Sequence, residues 1–462
     1  MGWTVNCQVL HWEHYMAIST SVNLPISSSS SAGKAQGARK KLAVLLFACA
    51  ALVVAWSFAV PVFEGPDEPA HWRYACYLNQ HRALPIYGPN FTEANSPPFY
   101  YLLIVPFAVD PTLPPIGYVG EEEGKRFSLF PPRMYQNASG DFARYWPFRA
   151  ARLLSVLISV FTVWFCALAG TEASGRSTTG LLVGGLVAFW PMFTFRGMNV
   201  SNDALVTMFS AIFLYLIVRL IKRGFTWRMG LFAALAVAGA FLTKTSAMVL
   251  PAPLLLAIIS EKSSWRAKLA RAGALGAVML MTVGPWLIRN ENLYGDLLAQ
   301  RAMLTAVAGL VQKHTLGSSY FRVYFPLAFL MSFIGNFGWM NVPLPASVYL
   351  VYMIALVSAG ACWIGGMRQR RIDFRLSAIL SSAILLNLVV VVYINLMFTQ
   401  PQGRYMLPTL PAIALLLGLG LESSRSWSQF RATLTLGGLA ASNLIILVCL
   451  VIPAYWPPVL PR

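Results

Sequence analysis

Residues 41–72 read KLAVLLFACAALVVAWSFAVPVFEGPDEPAHW, an apolar run that ends in a pair of acids. Residues 42–63 contain no charged side chain, and about twenty such residues suffice to cross a bilayer as a helix. The run is too long for the core of a typical signal peptide and lacks a clear cleavage site. We therefore interpret it as a retained membrane anchor that delivers Asp67 and Glu68 to the membrane surface.

The whole chain has the composition of a protein whose solvent is largely lipid. Of its 462 residues, 57% are hydrophobic and 11% are charged, whereas soluble domains carry about 25% charged residues. The net charge of +18 could indicate nucleic-acid binding. The basic residues, however, cluster beside apolar runs, as they do in the cytoplasmic loops of membrane proteins, and this location favours a membrane protein. These clusters lie at residues 34–41, 219–228, 262–271 and 368–375.

Alternating helix directions, with the basic loops inside, predict an all-α polytopic membrane protein of about 11 transmembrane helices, within a range of 11 to 13. The predicted spans are 41–63, 149–170, 179–197, 203–221, 229–243, 246–260, 270–289, 345–366, 375–397, 406–421 and 433–453. Two shorter apolar stretches, 97–109 and 321–334, are predicted to lie on the outer side as juxtamembrane or re-entrant helices.

This topology divides the chain simply. Residues 1–40 are predicted to form a polar, disordered cytoplasmic tail, residues 41–453 a single transmembrane domain, and residues 454–462 a short tail on the outside. The first outer loop, 64–148, is large and carries many acids, among them Glu93, Asp110, Glu121 to Glu123 and Asp141. A second outer segment covers residues 290–343.

Acidic residues with potential chemistry emerge on the outer side at two places. Pro69 suits the first position of a helix, so Asp67 and Glu68 are predicted at a helix N-terminus, where an ionised carboxylate is favoured. Such a group could accept a proton from a hydroxyl or hold a divalent cation, and His71 lies one turn later on the same face. Asp203 emerges on the same side. The alternative is that these acids only cap helices and that His71 is structural.

Three cations are predicted at span ends on that same side: Lys244, Arg289 and Arg404. Arginine and lysine there could bind a lipid-linked phosphate, and arginine suits bidentate contacts with its oxygens. The alternative for each is that the side chain only extends to the headgroups of ordinary lipids. The combination of outer acids and outer cations favours a phosphate-binding site.

In these residues the chain resembles a domain-of-unknown-function family of bacterial membrane proteins in the GT-C clan, whose members are polyprenyl-phosphate-dependent glycosyltransferases. The resemblance runs from about residue 61 to residue 411. Its landmarks are Pro66 to His71, Ser96 to Tyr101, Asn199 to Leu205, Leu242 to Lys244, Arg289-Asn290 with Tyr294-Gly295, Phe337 to Trp339, and Gly403 to Tyr405 with Pro408.

The resemblance implies a GT-C-like helical bundle and a role for each candidate residue. Asp67 would be the general base, with Glu68 in support and Asp203 as a second outer acid. The donor phosphate and substrates would be held by His71, Lys244, Arg289, Tyr294, Arg404 and Tyr405. A divalent cation, Mg²⁺ or Mn²⁺, would be held by Asp67, Glu68 and His71 if the enzyme uses one. Ser96 departs from the family, since many relatives have histidine there. The chain is also expected to lack the large C-terminal periplasmic domain of some members of the clan.

These implications predict a transferase. The expected reaction is inverting transfer of a sugar from polyprenyl phosphate to a glycan, lipid or protein acceptor, with the bilayer as partner and no nucleic acid. The expected location is the bacterial cytoplasmic membrane, with the active site on the extracytoplasmic side. The alternatives are a transporter or flippase of lipid-linked saccharides, and a polymerase or ligase whose donor carries pyrophosphate.

Overall fold

The computed structural model describes residues 29–88, 91–112, 142–306, 311, 313–424 and 428–456. The chain divides into two compact units, Met1–Lys41 and Leu42–Arg462, and every site discussed below lies in the second. Residues 1–28 of the predicted tail and the acids Glu121 to Glu123 and Asp141 lie outside the described residues. The first helix begins at Ser29, within the segment predicted as tail.

The described part of the chain is built almost entirely of helices. In chain order they are α1 (Ser29–Ala59), α2 (Glu68–His81), α3 (Phe99–Ile104), α4 (Phe142–Ser174), α5 (Ser177–Ala188), α6 (Pro191–Met198), α7 (Asn202–Arg223), α8 (Trp227–Thr243), α9 (Pro251–Ile259), α10 (Trp265–Tyr294), α11 (Gln300–Ala306), α12 (Phe325–Ile334), α13 (Ala346–Arg368), α14 (Phe374–Met397), α15 (Leu410–Ser423), α16 (Gln429–Ile446) and α17 (Ile452–Tyr455). Two-residue strands β1 (Asn336–Phe337) and β2 (Val342–Pro343) pair antiparallel.

The helices account for the predicted spans, with a difference in count. Among the described residues, eight helices are long and apolar enough to cross a membrane, or nine if the pair α5 and α6, bent by 66°, forms one span. The predicted spans 229–243 and 246–260 correspond to the shorter apolar helices Trp227–Thr243 and Thr245–Ile259, and these make up the difference from eleven. The stretch predicted to be re-entrant at 321–334 is the short helix Tyr320–Ile334.

Local sequence explains where several helices begin. The side chains of Thr226, Ser264, Asp373 and Ser428 each accept a hydrogen bond from a backbone N–H three residues later, which satisfies a donor at the start of α8, α10, α14 and α16. Three of these caps, Thr226, Ser264 and Asp373, lie within the basic clusters. Proline begins α6 and α9 and lies at the start of α2 and α12.

The basic loops meet at one end of the bundle. Arg223 pairs with Glu172, Arg176 with Glu422, and Lys222 with Asp373, so the ends of α4, α7, α14 and α15 are joined there. Helix α7 extends from this end to Asp203 at its other end, over 22 residues. At about 1.5 Å per residue it covers roughly the thickness of a bilayer. The basic loops and Asp203 therefore lie at opposite ends of the bundle.

Burial varies strongly between helices and identifies the interior. The apolar windows of Asn202–Arg223 and Gly403–Ser423 are 61% and 67% buried, whereas those of Trp265–Tyr294 and Ala346–Arg368 are 17% buried. Trp56 reaches this interior and donates its indole N–H to Asn443 Oδ1 at 2.9 Å. The two more buried segments, Asn202–Arg223 and Gly403–Ser423, carry Asp203 and Arg404 near their starts. Both residues therefore lie at the ends of helical segments that pack in the interior.

Candidate active site

Asp67 lies where the chain leaves α1 and enters α2. Its φ of 68° is in the left-handed region, which aspartate and asparagine adopt more readily than most residues. The side chain is 30% exposed and caps no backbone N–H of α2. The capping alternative therefore does not describe Asp67. Its carboxylate is available for a partner elsewhere in the molecule.

That partner is Arg404, one of the predicted phosphate-binding cations. Arg404 Nη2 lies 2.7 Å from Asp67 Oδ2. Arg404 sits in the 3₁₀ segment Gly403–Thr409, where Gly403 donates its N–H to Ser332 Oγ at 2.7 Å. A side chain at Gly403 would collide with the Phe329 carbonyl, so this close packing depends on glycine. The guanidinium is thereby held over the loop that carries Asp67.

Opposing effects determine the protonation of Asp67. Burial raises the pKa of its carboxyl group, and the positive charges of Arg404 and Arg196 lower that pKa by more. The pKa of Asp67 is therefore below the ordinary value for aspartate. At neutral pH Asp67 is an ionised hydrogen-bond acceptor.

The second acid, Asp203, is held by two cations in the first turn of α7. Arg196 Nη2 lies 2.7 Å from Asp203 Oδ2, and its Nε donates to the same oxygen at 2.8 Å. Lys244, just after α8, donates to Asp203 Oδ1. Arg196 also donates to the carbonyl oxygen of Pro66 at 3.3 Å. Arg196 thus connects the Asp203 pair to the backbone immediately before Asp67.

These five charged side chains form what we call the charge cluster: Asp67, Arg196, Asp203, Lys244 and Arg404. Tyr405 joins its two sides, because Lys244 Nζ and the Arg404 guanidinium lie 5.3 Å and 5.4 Å from the centre of its ring. Lys244 is 19% exposed and Arg404 is 10% exposed. Both cations contact protein carboxylates. The alternative that their side chains only extend to lipid headgroups therefore does not apply to them. Three cations and two carboxylates leave one positive charge in excess.

Glu68 has a different environment from its neighbour. Its side chain and that of Arg152 are fully buried, with Arg152 Nη2 2.7 Å from Glu68 Oε2. The carboxylate also accepts hydrogen bonds from the N–H groups of Val200, at 2.9 Å, and Gly65, at 3.2 Å. Because its oxygens are committed to the protein, this arrangement favours a structural role for Glu68 over the predicted support of catalysis.

His71 is buried beside the charge cluster on α2. Its Nδ1 lies 2.8 Å from the Tyr101 hydroxyl. Burial lowers the pKa of His71 to about 3, although the negative charge of Asp67 acts in the opposite direction. The imidazole is therefore neutral at physiological pH and engaged with Tyr101 rather than with Asp67.

Arg289 and Tyr294 contact the first outer loop instead of the charge cluster. Arg289 Nη2 donates to the Pro85 carbonyl at 2.8 Å, and the Tyr294 hydroxyl accepts from the Tyr87 N–H at 3.1 Å. Both therefore hold the first outer loop against the end of α10. Arg289 also lines an apolar-walled cavity of about 540 Å³ beside Leu84.

The predicted metal ligands do not fit a metal site. Glu68 is bound by Arg152 and two backbone N–H groups, and His71 Nδ1 is bound by Tyr101. Across the described ranges, no group of three or more histidine, cysteine, aspartate or glutamate side chains could hold an ion. The use of a divalent cation stays a prediction.

Comparison with known proteins now identifies the fold. The crystal structure of ArnT from Cupriavidus metallidurans bound to undecaprenyl phosphate matches with a TM-score of 0.53 and 15% identity, over 89% of this chain and 73% of ArnT. The protein has the GT-C fold. The apo state of the same ArnT gives a TM-score of 0.51 and 14% identity, with the same coverage of both chains. The chain is a multi-pass membrane protein, as predicted.

A family model and a further solved structure also match the chain. The family model for dolichyl-phosphate-mannose-protein mannosyltransferases matches residues 145–288. AglB of Archaeoglobus fulgidus, an archaeal oligosaccharyltransferase solved with an inhibitory peptide and dolichol-phosphate, has a TM-score of 0.49 and 12% identity, over 90% of this chain and 56% of AglB. No curated protein matches the sequence. The matching family and ArnT are GT-C glycosyltransferases, the class predicted from the sequence.

Two arginines of this GT-C protein were not singled out from the sequence. Arg196 and Arg152 both lie inside predicted apolar spans, and a cation in such a run signals a specific partner. That signal could have found both.

Proposed function

We propose that this chain is an inverting glycosyltransferase that moves a sugar from a polyprenyl-phosphate donor to an acceptor on the outer face of a bacterial cytoplasmic membrane. The observation that carries the proposal is the charge cluster, in which Asp67 and Arg404 lie 2.7 Å apart beside the Asp203 pairs. It joins a proton acceptor to phosphate-binding cations. Its position at the end opposite the basic loops supports the extracytoplasmic side.

In the proposed reaction the acceptor hydroxyl attacks the anomeric carbon as the bond from that carbon to the phosphate oxygen breaks. Asp67 takes the hydroxyl proton, so the attacking oxygen becomes the glycosidic oxygen. The leaving phosphate gains one negative charge, which Arg404 and Lys244 stabilise. A single displacement inverts the configuration. Once the phosphate competes for Arg404, Asp67 loses part of its ion pair and becomes a stronger base.

The charge balance favours a monophosphate donor. A sugar linked through polyprenyl monophosphate carries one negative charge, and the charge cluster has one positive charge in excess. A pyrophosphate-linked donor carries two. ArnT was crystallised with undecaprenyl phosphate, and that likeness supports a lipid-phosphate donor here. The acceptor is a glycan, lipid or protein.

The proposal is tested with the purified full-length chain in lipid nanodiscs. Labelled sugar linked to polyprenyl monophosphate, or to polyprenyl pyrophosphate, is incubated with candidate acceptors, and the anomeric configuration of the product is read by NMR. We expect transfer with inversion from the monophosphate donor. Transfer from the pyrophosphate donor alone would favour a polymerase or ligase. Movement of the donor across proteoliposomes without transfer would favour a flippase.

Lys244 gives a prediction for donor binding. Lys244→Met removes one charged contact to the phosphate, and a hydrogen bond to a charged group contributes about 1.5–3 kcal/mol. We expect the KM for the donor to rise roughly 10- to 100-fold. Lys222→Met, which breaks a pair with Asp373 at the other end of α7, is the control and should leave KM unchanged. An unchanged donor KM in Lys244→Met would remove Lys244 from the donor site.

A further inference from the structure

Asn387 is a polar side chain in the middle of the apolar helix α14, and it is fully buried. An amide buried among apolar groups is costly unless it is hydrogen-bonded. Asn387 has its partners outside its own helix: its Nδ2 donates to the backbone carbonyl oxygen of Tyr405 at 3.0 Å and to Thr409 Oγ1 at 3.2 Å. Both partners lie in the 3₁₀ segment Gly403–Thr409. Asn387 therefore joins α14 to the segment that carries Arg404.

The Tyr405 carbonyl group needs a donor from outside its own segment because of a proline. In a 3₁₀ helix the carbonyl oxygen of one residue accepts a hydrogen bond from the N–H group three residues later. For Tyr405 that residue is Pro408, which has no N–H. Asn387 Nδ2 takes the place of the missing donor. The path of the backbone at Tyr405 is therefore set by α14 and not by the segment alone.

A second buried asparagine of α14 holds the chain just before this segment. Asn395 Nδ2 donates to the Gln400 carbonyl at 3.0 Å, and Asn395 Oδ1 accepts from the Gln400 N–H at 2.9 Å. Asn387 and Asn395 are eight positions apart, a spacing that places both on one face of a helix. Arg404 thus lies between the two points, residues 400 and 405, at which this face of α14 binds the chain.

The position of Tyr405 affects the geometry of both proposed phosphate-binding cations. Its ring centre lies 5.3 Å from Lys244 Nζ and 5.4 Å from the Arg404 guanidinium. Arg404 directly precedes Tyr405, and its Nη2 lies 2.7 Å from Asp67 Oδ2. A displacement of the backbone at Tyr405 would therefore move the ring and the guanidinium together. Binding sites tolerate such displacements poorly, because each contact depends on the distance and direction of its donor.

We propose that Asn387 is a positioning residue for the donor phosphate, an inference that rests on the proposed function. Asn387 supplies the hydrogen-bond donor that Pro408 lacks, and it thereby holds Arg404 and Tyr405 where the phosphate binds. Its own partners are groups of the 3₁₀ segment and not the charged side chains of the cluster. Asn387 therefore acts through the Tyr405 carbonyl group and not by contact with the substrate.

Asn387→Leu tests this role, because leucine has nearly the same size as asparagine and no hydrogen-bond donor. The Tyr405 carbonyl group would be left without its partner, and the segment would shift. We expect the KM for a sugar linked to polyprenyl monophosphate to rise about 10-fold, with the KM for the acceptor unchanged. A protein that is merely destabilised would lose folded enzyme, and so apparent kcat, but would keep its KM for the donor.

Ser377→Ala is the matched control for this variant. Ser377 is a buried polar residue near the start of the same helix, and its Oγ accepts a hydrogen bond from the indole N–H of Trp363 in α13 at 3.3 Å. Its loss weakens a contact of α14 that does not involve the 3₁₀ segment. The donor KM of Ser377→Ala should equal that of the wild type. A wild-type donor KM in Asn387→Leu as well would overturn the proposed role.

A second substitution tests whether Asn387 acts through the Tyr405 carbonyl group. Pro408→Ala restores an N–H group at the position from which a 3₁₀ helix would supply the donor. The double variant Asn387→Leu/Pro408→Ala should therefore have a donor KM within about 3-fold of that of Pro408→Ala alone. A role of Asn387 in packing would not respond to a change at residue 408. A donor KM that stays raised about 10-fold in the double variant would overturn the route through this carbonyl group.

The double variant also keeps the proposal testable if Asn387→Leu does not fold. A folded double variant with the donor KM of Pro408→Ala would show that the restored N–H group replaces Asn387. If the double variant does not fold either, the donor missing at residue 408 is not what Asn387 supplies, and the proposal is overturned.

A binding measurement separates this proposal from the proposed function. Equilibrium binding of polyprenyl monophosphate to the nanodisc-embedded protein needs neither sugar nor acceptor, and the affinity should be about 10-fold weaker in Asn387→Leu. If the wild type transfers sugar and Asn387→Leu binds this lipid as tightly as the wild type, the role of Asn387 is overturned and the glycosyltransferase remains. If the wild type binds the lipid but transfers no sugar, the glycosyltransferase falls, and the affinities of the variants still decide the role of Asn387. If the wild type neither binds nor transfers, both proposals fall.

Discussion

Asp67→Asn is expected to lower the rate of sugar transfer by about 10²- to 10⁴-fold while the protein stays folded in the membrane. A positioned general base contributes a factor of this size, because the attacking hydroxyl must lose its proton as the new bond forms. Asparagine has nearly the same shape as aspartate, but its amide does not accept that proton.

The substitution is mild for the fold because of the backbone at this position. Asparagine tolerates the left-handed φ of 68° at least as well as aspartate, whereas alanine there would add backbone strain. The amide oxygen can still accept a hydrogen bond from Arg404. The loss should therefore appear in kcat rather than in expression or insertion.

The measurement is the rate of transfer by purified variants in nanodiscs at saturating donor. Asp110→Asn is the matched control, because Asp110 lies in the same outer loop and its pair with Arg144 is loose, at 3.9 Å. That control should retain the wild-type rate. Full activity in Asp67→Asn would remove Asp67 as the base.

The fold was largely predictable because it depends on local composition. Apolar runs and basic loops are properties of neighbouring residues, and each predicted span corresponds to a helix or a bent pair of helices. The number of spans differs from the prediction because two of the predicted spans are short helices. The helices Trp227–Thr243 and Thr245–Ile259 fall below the length of a full span, although their ends match the predicted boundaries.

The candidate site was predictable only in part, because its contacts are long-range. Asp67, Asp203, Lys244 and Arg404 could be placed on one side by counting spans, and the structure brings these four together. Counting spans does not show how far apart two residues lie in the plane of the membrane. Arg289 was predicted at a span end on the same side as Lys244, but it contacts the carbonyl of Pro85 and not the charge cluster.

The partners of these residues were the least predictable feature. Glu68 and Arg152 are separated by 84 positions, and no local pattern joins them. The adjacent acids Asp67 and Glu68 therefore looked equivalent in the sequence. The left-handed backbone at Asp67 separates them, since one side chain meets Arg404 and the other enters the protein interior.

Glu68→Gln is expected to destabilise the protein by about 3–5 kcal/mol, the cost of leaving a buried charge without its partner. Arg152 is fully buried and would keep its charge with only carbonyl acceptors. Those acceptors are the backbone oxygens of Ser57, Val60 and Pro61, at 2.7–3.0 Å. Through them Arg152 fixes the end of α1 to α4. Loss of the ion pair with Glu68 should therefore loosen the segment that leads from α1 to Asp67.

Unfolding measured by denaturant titration in mixed micelles, with Arg152→Met and the double variant, completes a double-mutant cycle. The double variant should recover part of the loss, because removing both charges is less costly than removing one. Recovery should stay incomplete, since three carbonyl groups lose their donor. Glu172→Gln, whose pair with Arg223 is partly exposed, is the control and should cost at most about 1 kcal/mol.

The same variant decides between a structural and a catalytic Glu68. If Glu68 acts only through Arg152, the folded fraction of Glu68→Gln should transfer sugar within a few-fold of the wild-type rate, and the defect should appear in the Tm. A catalytic Glu68 predicts the reverse, an unchanged Tm with a loss of about 10²-fold or more in kcat. The four protein hydrogen-bond donors around its carboxylate favour the first result, because none of them can leave without exposing a buried charge.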